Sequence, residues 1–179
     1  ISGDGSLPQN GANTTTLTAT NTYTGGTTIN QGKLALGSGG SLAATGAVNL
    51  ASSGTTFDIS AASGSQTVGA LSGVADSTVA LGSNALTFGD GSNQTLAATV
   101  IGASGSLIKN GTGTTWLTGS NTYTGDTTVN GGKLLVGNAA QGGSVASNVL
   151  VNTGAALGGS GSIGDNVTVG SGGTLLPGN

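Results

Sequence analysis

The strongest constraint on this chain is that it states one passage twice. Residues 5–37 read GSLPQNGANTTTLTATNTYTGGTTINQGKLALG, and residues 105–137 read GSLIKNGTGTTWLTGSNTYTGDTTVNGGKLLVG. The two align without a gap and agree at 21 of 33 positions. Val129 stands where Ile29 stood and Val136 where Leu36 stood, so apolar β-formers replace one another. Asp126 and Gly131 take the turn-like places of Gly26 and Gln31. A unit that recurs within one chain implies a repeat architecture, in which each unit buries its apolar face against its neighbours. Function is therefore sought first in a scaffold and only then in a local active site.

The same rhythm continues outside the copies. Thr14–Leu17 reads as a Thr-rich strand, Asn21–Gly25 as a turn, and Thr27–Asn30 and Lys33–Leu36 flank a corner at Gln31-Gly32. Apolar pairs two residues apart recur at Val48/Leu50, Phe57/Ile59, Val79/Leu81, Leu86/Phe88, Leu134/Val136, Val149/Val151 and Val167/Val169. Such alternation turns one face of a strand to a core and the other to water. Gly, Ser, Asn and Asp lie between the pairs, as at Gly89–Asn93 and Gln141–Ser144. No stretch carries an apolar stripe at helical spacing. Short strands at this spacing suit a sandwich or barrel, or a right-handed parallel β-helix with rungs of about three strands. The repeat favours the β-helix, as does the shortage of tight hairpin signals; Asn110-Gly111 is the clearest of those. The expected fold is all-β, a right-handed parallel β-helix (β-solenoid) of pectin-lyase-like architecture. Residues 1–179 form a single unit, a fragment of a longer solenoid, with a Gly-rich, repeat-like tail at 156–179.

Composition closes off several functions. Charged residues make up 5% of the chain and the net charge is −3, with every acid Asp and every base Lys. Nucleic acid is excluded as a partner on this basis, because phosphate binding needs concentrated cations. No apolar run approaches the ~20 residues of a membrane-spanning helix. The chain opens within repeat-like sequence and without Met, so the absence of a targeting signal carries little weight.

The phrase NGTGTTWLTGSNTYTGDTTVNGGKLLVG resembles the autotransporter-associated β-strand repeat of bacterial type V secretion. Leu117, Gly119, Asn121, Tyr123, Gly125, Thr127, Val129, Gly132 and Leu134 fill its pattern. Leu17, Asn21, Tyr23, Gly25, Thr27, Ile29, Gly32 and Leu34 fill it in the first copy, where Ala19 departs from Gly119. The tail from Ala156 is similar to segments that follow such repeats. The resemblance implies an exported passenger, displayed on the bacterial surface or secreted and carried through the outer membrane by a C-terminal β-barrel of the parent chain. It implies adhesion to a host-cell surface, self-association or a stalk role, with export helped by rungs that fold as they emerge.

Single motifs weigh less than this. Tyr23 and Tyr123 with Asn21 and Asn121 suit a ligand platform, or a corner where Tyr covers the core and Asn satisfies the turn. Trp116 suits sugar stacking or local filling; its counterpart is Thr16. Gly159–Gly164 fits GxGxxG, but Asp165–Val169 reads as strand where phosphate binding requires a helix. Gly3–Ser6 and Gly89–Ser92 look like calcium turns with one carboxylate each, too few for the ion. The carboxylates of Asp4, Asp58, Asp76, Asp90, Asp126 and Asp165 are scattered, although one turn of a helix brings Asp58 towards Asp76 in a hydrolytic arrangement. Without Arg, His, Cys or Glu, the reading is a non-enzymatic scaffold with no catalytic, cofactor or metal residues. The alternatives are a carbohydrate-binding module and a polysaccharide-cleaving β-helix.

Overall fold

The computed structural model describes residues 1–178 and contains strands, turns and no helix. Every strand pairing is parallel, and each strand bonds to strands about one turn earlier and later in the chain. The pairing offset runs from 18 residues (Val149 with Val167) to 24 (Ser120 with Ser144). The chain is a parallel β-solenoid of about 8 turns.

Three faces enclose the core. One is a nine-stranded sheet running from Leu7–Gln9 through Thr27–Ile29, Thr114–Leu117 and Gly132–Val136 to Thr174–Pro177. The second is a five-stranded sheet from Thr14–Leu17 to Thr99–Ile101, carried on by a three-stranded sheet beginning at Ser120–Asn121. The third is a six-stranded sheet from Gln66–Thr67 to Val167–Val169. In the first turns this third face holds only the Thr20–Ser41 bridge.

Inward residues stack on their like along the axis. Leu34, Phe57, Val79 and Val100 are in successive register and fully buried. Each such side chain contributes ~1.5–3 kcal/mol on full burial. Six of the seven apolar pairs lie in this core. Val167 and Val169 remain 38% and 39% exposed; their strand is the edge of the six-stranded sheet and pairs on one side. Asn110-Gly111 makes a corner, not a hairpin. Gly111 takes the left-handed turn (φ 72°), and the strands on either side, Ser106–Lys109 and Thr114–Leu117, lie in different sheets.

The two copies do not superpose along the axis. Thr14–Leu17 lies in the five-stranded sheet and its counterpart Thr114–Leu117 in the nine-stranded one. Thr27–Ile29 lies in the nine-stranded sheet and Thr127–Val129 in the six-stranded one. From Thr14–Leu17 the chain makes four turns to Thr99–Ile101, then crosses two more faces. One hundred residues are thus four and two-thirds turns, and the second copy is rotated by one face.

Candidate functional site

The repeat's polar residues point inward and serve the fold. Asn121 is buried and clamps three turns: its Oδ1 accepts from the Val100 N–H (2.9 Å), and its Nδ2 donates to Gly119 O (3.0 Å) and Ser144 O (2.8 Å). By taking the Val100 N–H, the side chain divides the second face into its five- and three-stranded parts. Asn21 repeats the arrangement, donating to Ala19 O and Ser41 O and accepting from the Ile1 terminus. The Tyr23 and Tyr123 hydroxyls bond the Thr27 and Thr127 hydroxyls beneath the corner, at 2.6 and 2.5 Å. Burial raises both phenols, and Tyr123 is pushed up to about 12. Neither ring is open to a ligand.

One charge stands at an inward position of the alternation. Lys109 is 1% exposed, and its Nζ donates to Asn110 O and Gly131 O (both 3.1 Å), closing a corner onto the next rung. Burial lowers its affinity for the proton, and Asp90 partly restores it. Its counterpart Gln9 caps its own corner only, donating to Gly11 O and Asn13 O.

The carboxylates are apart. Thr56 pairs with Thr78 and Asp58 with Ala80, so Asp76 falls at the Gly54 corner and does not meet Asp58. Asp58 forms an ion pair with Lys33 (3.0 Å) and accepts from Ser60. Burial pushes its carboxyl up, but the Ser60 and Lys33 hydrogen bonds outweigh this and hold it below the usual range. Asp90 is capped by the Ser92 hydroxyl and N–H, which also lower it. Among the described residues no three His, Cys, Asp or Glu side chains converge. Residues 159–164 form a strand end, a corner and a short strand, without the helix that a phosphate site needs.

The outer surface carries two polar ladders and one apolar strip. Asn130 donates to Asn110 (2.9 Å) and Asn152 to Asn130 (2.7 Å); Asn148 donates to Asp126 (3.0 Å) and Asn166 to Asn148 (3.3 Å). Spacing near twenty residues was the available signal for these ladders. Trp116 is half-buried on the outside of the nine-stranded sheet, in register with Leu135. Leu135 lies in turn beside Gly158, whose missing side chain leaves room for it. Most of the indole therefore fills local space.

Geometry of this kind defines a parallel β-solenoid whose repeat secures the stack from within and leaves the outer face to vary. The family described as passenger-associated-transport-repeat matches residues 7–36 and 107–136. The chain is 37% identical over 150 residues to the adhesin BmaC autotransporter of Brucella suis biovar 1 (strain 1330), an alignment covering 82% of this chain and 4% of that protein. No solved structure matches. The chain is an autotransporter passenger bearing two such repeats. Passengers of this class are exported through the outer membrane to the cell surface or secreted.

Proposed function

We propose that the chain acts as a non-enzymatic scaffold and contact surface of a displayed or secreted passenger, mediating adhesion or self-association. The name of its Brucella relative, an adhesin, supports the contact role. The observation that carries the scaffold role is the strictly neighbour-to-neighbour pairing of all three faces. A turn emerging from the parent's C-terminal outer-membrane β-barrel finds its hydrogen-bond partners on the turn already outside. It buries several aliphatic side chains at once, which disfavours backsliding without any nucleotide. Residues 1–179 act in this as one β-helical unit, with host surfaces or other copies as partners and no nucleic acid.

The test is attachment. Beads coated with the purified chain are expected to clump or bind cells more than bare beads, with modest salt dependence because the surface is almost uncharged. If coated beads do neither while the whole passenger does both, the contact role belongs to another part of the parent. Turnover of polysaccharide, peptide or ester substrates would overturn the non-enzymatic reading.

A further inference from the structure

The outer side of the six-stranded sheet carries a polar ladder along each edge, whereas the nine-stranded sheet has a single such rung at one edge, Asn30 to Asn10 (2.7 Å). In the strand Thr127–Val129 and its flanks, Asp126 and Asn130 are exposed, Thr128 is half-buried between them, and Thr127 and Val129 point to the core. In the neighbouring strands the same outward positions are Ser106, Ile108 and Asn110, then Asn148, Leu150 and Asn152, all exposed or half-buried. The two ladders described above are therefore the two rims of one track, Asp126–Asn148–Asn166 along one edge and Asn110–Asn130–Asn152 along the other. The floor between them alternates aliphatic and hydroxyl groups: Ile108, Thr128, Leu150 and Thr168 stand in direct register. Leu150 is 36% exposed, and with Asp126, Asn148 and Asn166 it lines a groove of about 540 Å³.

We infer that this track is a binding site for a neutral, extended glycan lying along the solenoid axis. This rests on the contact-surface reading above and names its face and its ligand chemistry. Each bond within a ladder fixes an amide in place; Asn130, Asn148 and Asn152 each use one of their two N–H groups in it, whereas Asn166 donates to both Asn148 and Asp165. The second N–H of those three is left for a ligand, and Asn130 keeps a carbonyl lone pair as well, while the Asn148 carbonyl accepts from both the backbone and the amide of Asn166. The strands recur at ~4.8 Å along the track. Groups held ready in this way bind without paying to be ordered first. Hydroxyls of a sugar chain both donate and accept, as the amides do, and the aliphatic floor suits the C–H faces of pyranose rings. The rims hold one carboxylate, Asp126, and no cation, so an anionic polymer gains nothing here. Asp126 accepts hydroxyl protons at the track's earlier end.

The side-chain amides give a direct readout. With isotope-labelled protein, cellohexaose, xylohexaose or mannohexaose is expected to shift the amide resonances of Asn130 and Asn148 saturably, and an oligogalacturonate is not. Leu150→Glu, which places a charge on the floor, should weaken binding at least tenfold, and Asn148→Ala should weaken it several-fold. Thr78→Glu on the five-stranded sheet should leave binding unchanged. The far-UV spectrum of each variant confirms folding. The inference is overturned if no neutral hexaose moves the ladder amides, if shifts centre on Trp116, or if Thr78→Glu has the same effect as Leu150→Glu. Ladder shifts that depend on protein concentration without sugar would instead assign the track to a second copy. The two readings also separate: beads that attach to cells regardless of competing hexaose refute the glycan track alone. Hexaose binding without attachment refutes the contact role alone.

Discussion

Tyr23 and Tyr123 occupy the same place in the same repeat, yet they stand at different corners of the solenoid, four and two-thirds turns apart. At ~4.8 Å per turn the separation along the axis is roughly 22 Å. What the copies share is inward chemistry, each phenol bonded to a threonine four residues on. A repeat rotated from one copy to the next cannot present its residues as one linear array. It can stabilise any corner at which it falls.

Removing one hydroxyl tests that role. Tyr123→Phe strands the Thr127 hydroxyl, whose other neighbour, Ser147, is 3.4 Å away. A cost of about 1–2 kcal/mol in urea melts is expected. The pH profile gives a second readout. Burial raises the Tyr123 phenol, so its contribution is complete below pH 10 and is lost as pH rises towards about 12. Tyr123→Phe should abolish that part of the alkaline loss, and an unchanged profile would refute the assignment.

The departure of Ala19 from Gly119 has a steric cause. A Cβ on Gly119 would collide with the Ala98 carbonyl of the turn before. Ala19, at the counterpart position, is exposed. Gly119→Ala should therefore cost about 1–3 kcal/mol, while Ala19→Gly changes stability by only a few tenths. Equal effects in thermal melts would contradict the packing described.

Strand positions were legible because the alternation of Leu34/Leu36 or Val48/Leu50 with polar residues has one physical reading. The rotation between copies was not, since turn lengths vary and only their sum fixes the face on which Thr127 falls. Lys109 was also hidden: alternation with Leu107 places it inside, where a cation is ordinarily excluded. Its equivalence to Gln9 was the one sign that a polar side chain is accommodated there. Pattern places the Val167/Val169 pair in a covered core, but pattern does not register that their strand is the edge of its sheet.

Core and surface should respond very differently to substitution. Val48 is 1% exposed, and Val48→Asp buries a charge at a cost of several kcal/mol. Lys33→Ser breaks the Lys33–Asp58 pair, whose lysine side chain is 41% exposed, and should cost only ~0.2–1 kcal/mol. Similar urea midpoints for the two variants would reject the core assignment.

Protection from amide exchange should fall towards both ends. Thr14–Leu17 and Val167–Val169 are edge strands of their sheets, and Leu175 is 49% exposed. A solenoid contributes stability through each interface between turns, so a turn with one neighbour opens first. Slowest exchange is expected near Phe57–Leu107 and fastest at 1–13 and beyond Gly170. Uniform protection, with strictly monomeric sedimentation at high concentration, would show that the ends are neither frayed nor stacked.

Lys109 offers the sharpest test of the inward polar groups. Its ammonium satisfies carbonyls of two successive turns, so Lys109→Met should leave Asn110 O and Gly131 O unpaired and cost about 1–3 kcal/mol. Lys109→Gln installs the residue found at Gln9, which caps carbonyls of its own corner, and should retain part of the stability that Met loses. Burial lowers the lysine's pKa in the fold, with Asp90 opposing, so the folded state releases its proton before the unfolded chain does. Stability should therefore rise with pH from the lowered folded value up to the unfolded value of 10.5, opposite in sign to the loss from Tyr123. Lys109→Gln removes that rise and leaves the alkaline loss in place. If the rise persists in Lys109→Gln, or Met and Gln prove equally costly, the lysine does not close the corner in the way the distances show.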